Sequence, residues 1–335
     1  MKILVVASNM VHINNFHLPY INALKENGNQ VYVMANGEGA DFNIPFKKRA
    51  LSIGNYRLSK RIRKIIKDNS FDCILLHTTL AAFWVRYALK GFKQRPRVIN
   101  TVHGYLFGKS SSKIHNLLYL GLEKRLRKQT DVILTMNSED YEIATKHKLA
   151  LENVIEIQGM GFKPLDLEYT PNNNKNLIFV GEISKRKNQK MLINALKYLP
   201  EYTLTLVGDG KERIVLEKLA KKKKVASRVQ ITGFTKDIKS YLKNADIYVS
   251  ASKIEGLPFN ILEAMSIKMP ILASNIKGHK DLLPKESLFE LNDITTFVNK
   301  IKNVKLKKVD YNISPYTYET AFSWNIELYK KLLNK

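Results

Sequence analysis

The chain has 335 residues, a formal net charge of +25 and one cysteine. Its length accommodates two domains, each able to bury a core, and a hydrophobic content of 44% excludes a disordered chain or a bulk membrane protein. Cys73 alone excludes an internal disulfide and fits a reducing cytoplasmic compartment, and no run reaches the ~18 consecutive apolar residues of a spanning helix.

Short apolar, β-branched runs alternate with amphipathic segments, and the alternation occurs twice. The opening KILVVAS turns polar too soon, at Ser8, Asn9 and His12, for a signal peptide and reads as a buried strand. QVYVMAN, DCILLHT, RVINTVHG, DVILTMN and VIEIQG follow as strands, with helical patterns near 16–27, 57–69, 79–91, 113–129 and 139–147. Residues 163–174, KPLDLEYTPNNN, lose all periodicity and read as a linker. NLIFVGE, TLTLVGDG, RVQITGF, DIYVSAS and MPILASN form a second set. Domains are expected at 1–162 and 175–315, with a terminal helix over 316–335 packing back toward the first. Strand–helix alternation predicts an α/β fold of two Rossmann-like, doubly wound parallel-sheet domains facing each other across a cleft. Ligands of such sheets bind beyond the carboxyl ends of the strands.

The residues after DIYVSAS carry the first chemical signal. Gly256 permits a tight turn, Pro258 suits the first helical position, and a helix starting there presents the amides of Phe259, Asn260 and Ile261 to an anion such as a diphosphate. Glu255 precedes this helix and Glu263 lies in its second turn, ~8 Å apart along the axis. Two carboxylates so placed can each accept hydrogen bonds from a vicinal diol, one on a hexose and one on a ribose. Lys185, Arg186 and Lys187, after NLIFVGE, offer the compensating cations. The competing reading is a solvated acidic turn and a surface glutamate.

EGLPFNILE resembles the E-x7-E motif of glycosyltransferase family 4, a retaining family with the GT-B fold. FVGEISKRKNQ, LVGDGKER, ITGFTKDIKSYLKNADIYVSAS, GHKDLL and FSWNIELY resemble further segments of that family, in order along nearly the whole chain. The resemblance implies that Glu263 holds the ribose hydroxyls. It implies that Glu255 contacts the transferred sugar together with the backbone of Gly256, Leu257, Pro258 and Phe259. Lys187 would contact the diphosphate, Gly181 and Gly208 would form the glycine turns of the donor site, and Gly233 and Phe234 would meet the base. Where the family has arginine this chain has Glu182, with Lys185 or Arg186 as candidate replacements. The resemblance also implies a histidine facing the sugar, at His103 after RVINTVHG; without it, His103 reads as a structural histidine at a strand end. His77 is a weaker candidate. The loop NMVHINNFHLP resembles an H-x-x-N-F-H-x-P pattern of a capsular and exopolysaccharide-assembly subgroup, so His12, Asn15 and His17 are candidates to line the cleft, or His17 faces solvent.

No covalent nucleophile stands out, no cofactor is implied, and no metal is expected; Asp166-Leu167-Glu168 only superficially resembles a metal motif. Arg57 to Lys128 holds 17 Lys or Arg against 3 Asp or Glu. Mixed with aromatic and aliphatic residues, this zone is expected to dock on an anionic membrane surface, which makes a polyprenyl-diphosphate-linked saccharide the expected acceptor; the resemblance to the family makes a UDP-hexose or UDP-N-acetylhexosamine the expected donor. The alternative is a set of ordinary basic helix faces. A GT-B sugar-nucleotide epimerase and a basic nucleic-acid-binding protein are the other function classes, but the chain has no nucleic-acid motif and no strand followed by G-x-G-x-x-G.

Overall fold

Every strand pairing among the described residues, 1–47 and 52–334 of the computed structural model, is parallel. Residues Met1–Gly161 and the helix Tyr318–Leu333 make one compact unit, and Phe162–Thr317 makes another. Lys335, at the end of the expected terminal helix, lies outside the described residues.

The first unit has a seven-stranded sheet of β1 (Lys2–Val6), β2 (Gln30–Ala35), β3 (Phe42–Asn43), β4 (Cys73–Leu76), β5 (Arg97–Val102), β6 (Val132–Thr135) and β7 (Asn153–Glu156), in the order β3-β2-β1-β4-β5-β6-β7. The second has six strands, β8 (Asn176–Val180), β9 (Thr203–Val207), β10 (Val229–Gly233), β11 (Ile247–Ser250), β12 (Ile271–Ser274) and β13 (Leu288–Phe289), in the order β10-β9-β8-β11-β12-β13. The strand order of each sheet reverses once, between β1 and β4 and between β8 and β11. Those are the switch points where the loops diverge and leave room for a ligand.

Alternate residues serve opposite faces, as strand geometry requires. In β8, Leu177 and Phe179 join one core with Leu204, Leu206 and Val249, while Ile178 joins the other with Tyr248, Ile271 and Ile261. In the first unit, Leu4, Val6, Ile74 and Leu76 pack with Ile62, Ile66 and Val85 of the helices Ile53–Asn69 and Thr79–Ala88.

Residues 163–174 contain neither helix nor strand, but they are fastened to the second unit. Buried Asp246 accepts the amides of Asn172 and Asn173 at 2.9 Å and of Asn176 at 3.1 Å, and the buried Tyr169 hydroxyl donates to the Asp246 carbonyl. The terminal helix belongs to the first unit: Asn325 Nδ2 donates to the Gly159 carbonyl (2.8 Å) and to the Tyr20 hydroxyl (3.1 Å).

Candidate functional site

The loops leaving β8 and β11 adjoin because those strands are neighbours at the second switch point. The β8 loop is closed by Gln189, whose Nε2 donates to the Glu182 carbonyl (2.7 Å) and whose Oε1 accepts the Ser184 amide. It is stapled to the β11 loop by Asn188 Nδ2 on the Ala251 carbonyl (3.0 Å) and by the Lys253 amide on the Arg186 carbonyl (2.9 Å). These bonds carry two cations to one carboxylate. Lys187 Nζ lies 2.7 Å from Glu255 Oε1, and Arg186 Nη1 lies 2.9 Å from Glu255 Oε2. Burial would push the buried Glu255 carboxyl up, but Lys187, Arg186 and His279 together outweigh it and hold the group below the ordinary carboxylate value. Arg186 is therefore the second cation at this carboxylate, whereas Lys185 and Glu182 are exposed.

Glu263 is its opposite. Its carboxyl has no hydrogen-bond or ion-pair partner among the described residues, and burial alone pushes it up to about 7. The helix between them, Phe259–Ser266, starts differently from the sequence expectation. Pro258 is the N-cap rather than the first helical residue, and its carbonyl accepts the amides of Ile261 (3.0 Å) and Leu262 (3.2 Å). The Ile261 amide is thus engaged rather than open, because proline at the cap leaves its own carbonyl aimed along the helix. Asn260 acts through its side chain: Nδ2 donates to the Val180 carbonyl (2.9 Å) and to the Tyr248 hydroxyl (2.6 Å), pinning the helix to β8 and β11. Leu257 and Phe259 pack partly into the adjoining core.

The glycines gather along the same edge. Gly208 follows β9 so closely against the β8 turn that a Cβ there would stand 2.0 Å from the Gly181 carbonyl oxygen. Gly233, at the end of β10, bridges to Gly208, and Phe234 beside it is 81% exposed. Gly181, Lys187, Gly208, Gly233, Glu255 and Glu263 therefore share the carboxyl edge of one sheet or the helix rising from it.

Two neighbours of Glu255 escape the sequence reading. A Cβ on Gly278 (φ +81) would lie 2.6 Å from the Gly256 carbonyl oxygen, so this turn abuts the Glu255–Gly256 turn. His279, fully buried, places Nδ1 2.9 Å from the Ser274 carbonyl and Nε2 3.3 Å from the Ser250 hydroxyl. Burial holds it below the ordinary histidine value, partly countered by Glu255. The available signal was position: GHKDLL follows the strand MPILASN at the same sheet edge.

In the first unit His103 is not an isolated strand-end residue. It lies with His12, His17 and His77 in one cluster at the loops after β1, β4 and β5. His17 is 1% exposed, which settles the choice between a lining and a solvent-facing residue against solvent. Burial pushes His12 down to about 4 and His103 down to about 3, with His12 adding to the effect on His103.

The basic zone is smaller than its count. Arg86 is 1% exposed and pairs with Glu123 through two bonds of 2.8 and 3.0 Å. Arg95 grips Asp131 through two bonds of 2.6 Å, Arg97 pairs with Glu152, and Arg63 donates to the carbonyls of Ala88 and Lys90. These four cations hold the unit together.

Two doubly wound parallel-sheet units, the second with a cationic, carboxylate-bearing edge at its switch point, define the GT-B fold class. The whole-chain likenesses agree. The chain resembles the lipopolysaccharide outer core galactosyltransferase WaaB over 99% of its length and 100% of that chain (TM-score 0.75, 17% identity). It also resembles HepE of Anabaena in complex with UDP and glucose over 99% of both chains (TM-score 0.73, 19% identity). Residues 168–319 match the family model of glycosyl transferases group 1, and residues 20–154 match that of Glycosyltransferase Family 4. Over 272 residues the chain is 30% identical to the UDP-Gal:alpha-D-GlcNAc-diphosphoundecaprenol alpha-1,3-galactosyltransferase of Escherichia coli, covering 73% of this chain and 69% of that protein. It is 29% identical to EpsD of Bacillus subtilis over 90% of this chain and 87% of that one. The chain belongs to glycosyltransferase family 4.

Proposed function

We propose that this glycosyltransferase moves a hexose or N-acetylhexosamine from UDP to a polyprenyl-diphosphate-linked saccharide, with retention at the anomeric carbon, in the assembly of a surface polysaccharide. The observation that carries this reading is the contrast between Glu255, held ionised by Lys187 and Arg186, and Glu263, without a carboxyl partner among the described residues and poised near neutrality. A nucleotide-sugar supplies what each lacks. Ribose hydroxyls satisfy Glu263, the diphosphate shares the two cations, and hexose hydroxyls donate to the remaining lone pairs of Glu255. A relative named for UDP-galactose and a diphosphoundecaprenol acceptor supports the choice of donor and acceptor classes.

The chemistry follows from that placement. The bond from the anomeric carbon to the diphosphate oxygen lengthens first, and Lys187, Arg186 and the helix start stabilise the charge that develops on the leaving group. The acceptor oxygen bonds to the anomeric carbon on the same face, and its proton passes to the departing phosphate oxygen. The protein contributes position and field rather than a covalent intermediate, and the positive field at the diphosphate comes from side chains, so this scheme needs no metal there.

The acceptor is assigned to the first unit, with His103 at the reacting sugar, and that unit to the inner face of the cytoplasmic membrane. The helix Lys113–Leu126 supports the membrane assignment: Ile114, Leu117 and Leu118, spaced i, i+3, i+4, are 84%, 76% and 56% exposed. Such an apolar stripe is costly in water, and exposed Lys113, Lys124 and Arg125 flank it. The test is a screen of nucleotide-sugars for thermal stabilisation, followed by transfer to a lipid-linked acceptor and determination of the anomeric configuration of the product. Stabilisation by UDP-sugars and a retained configuration are expected; an inverted product removes the mechanism.

A further inference from the structure

The histidine cluster of the first unit has a construction that packing alone does not require. The chain after β1 forms a short turn, Met10–His12, capped by Asn9, whose side chain accepts the His12 amide at 2.9 Å. It then passes into a π-helical turn, Ile13–His17, before the helix Leu18–Glu26. In an α-helix, residues five apart point about 140° away from each other. The i→i+5 bonding of a π-turn brings them onto one face, and such turns are rare enough to be associated with functional sites. Here the turn brings His12 and His17 to a ring separation of 5.0 Å. His103 closes on both, at 4.9 Å from His12 and 5.6 Å from His17, and His77 stacks on His17 at 3.7 Å.

Five nitrogens of these rings are unused. His12 Nε2, both nitrogens of His17, His77 Nδ1 and His103 Nε2 are buried without a hydrogen-bond partner among the described residues. A buried polar atom left unpaired costs about 1–3 kcal/mol, and five of them in one cluster demand a ligand that satisfies several together. One ring nitrogen from each of His12, His17 and His103 lies within 4.8 Å of the others.

We propose that His12, His17 and His103 bind a divalent transition-metal ion of the zinc class. Neutral imidazole is the preferred nitrogen ligand for such an ion, and calcium or magnesium, which take oxygen ligands, are disfavoured by this donor set. A zinc ion with Zn–N bonds of about 2.1 Å needs its nitrogens about 3.4 Å apart. Side-chain torsions therefore have to draw the rings together by about an ångström. A three-histidine site leaves a fourth position for an oxygen ligand. His77, stacked beneath His17, holds that ring in place. His103 ligates through one ring nitrogen, which leaves the other for the reacting sugar, and the test of the ion does not depend on transfer activity.

Full-length protein stripped of metal with a chelator is titrated with Co2+ and followed by visible absorption, then with Zn2+ in competition. The expected result is one Co2+ per chain with the intense d–d bands of a four-coordinate site of three nitrogens and one oxygen, displaced stoichiometrically by Zn2+. His12→Gln and His17→Gln, each checked for native circular dichroism, should weaken Co2+ binding by about 100-fold or more. His115→Gln, outside the cluster, should leave it unchanged. His12 is only half-buried, so that variant remains informative if His17→Gln fails to fold. Absent stoichiometric Co2+ binding, or binding unchanged in His12→Gln, overturns the proposal.

Discussion

Lys187 and Glu255 meet at 2.7 Å in a buried setting although 68 residues separate them in the chain. Each reaches the other from a loop at the end of a different strand, and Arg186 takes the second carboxylate oxygen. The site therefore contains its own counter-ions before any ligand arrives, and ligand charge has to enter by sharing them.

Glu255→Gln should accordingly separate binding from chemistry. Removing the negative charge frees Lys187 and Arg186 for the diphosphate, so UDP affinity should hold or rise. Transfer should fall by about 100-fold or more, the scale of losing one preorganised electrostatic group at a reacting centre. Calorimetric titration with UDP and initial-rate assays check both. A loss of UDP affinity with turnover preserved would reverse the assignment.

Glu263 makes a pH signature. Its folded value of about 7 lies above the ordinary 4.5, so the fold favours the protonated form. Its contribution to stability is fully present below about 4.5 and is lost as pH rises through about 7. Ribose hydroxyls donate to the ionised form, so UDP binding should release a proton near neutrality and strengthen as pH rises from about 6 to 8. Calorimetry in buffers of different ionisation heat measures the proton. Glu263→Gln should abolish the release and weaken UDP; identical proton release in that variant would assign it to another group.

The Arg86–Glu123 pair should matter for stability and not for the donor. Glu123→Ala leaves a buried guanidinium without its counter-ion and should cost about 3–5 kcal/mol, whereas Arg86→Met with Glu123→Leu should recover most of it. Denaturant unfolding reads the difference. UDP affinity should be unaffected, since both residues lie in the first unit.

Membrane association should depend on an apolar stripe as well as on charge. Replacing Ile114, Leu117 and Leu118 with serine should greatly reduce binding to anionic liposomes and leave UDP affinity intact. Neutralising Lys60, Arg61 and Lys64 should lower it in a salt-dependent manner. Arg63 is omitted because its guanidinium ties the helix Ile53–Asn69 to the Ala88 and Lys90 carbonyls. Undiminished liposome binding by both variants would move the docking surface elsewhere.

Strands of parallel sheets are apolar on both faces, so their sequences stand out, and all eleven runs read as strands appear as such. The two that did not, β3 and β13, are two residues long, too short to show any period. Charge counting was less informative. Arg86, Arg95 and Arg97 look like surface cations in a list, but their partners Glu123, Asp131 and Glu152 lie far along the chain. Nor does a pattern H-x4-H announce convergence on an α-helix; only the π-turn makes it so.

The sequence by itself determined the order of the eleven longer strands, the family and most of the residues that gather at one sheet edge, because those follow from local periodicity and from motifs. Tertiary structure decided what each residue does there. Glu255 and Glu263 are the same residue type eight positions apart, yet one is held ionised and the other is raised to about 7. The reason is that ionisation depends on burial and on which charges come near, and the cations that reach Glu255 arrive from another loop through the pairing of β8 with β11.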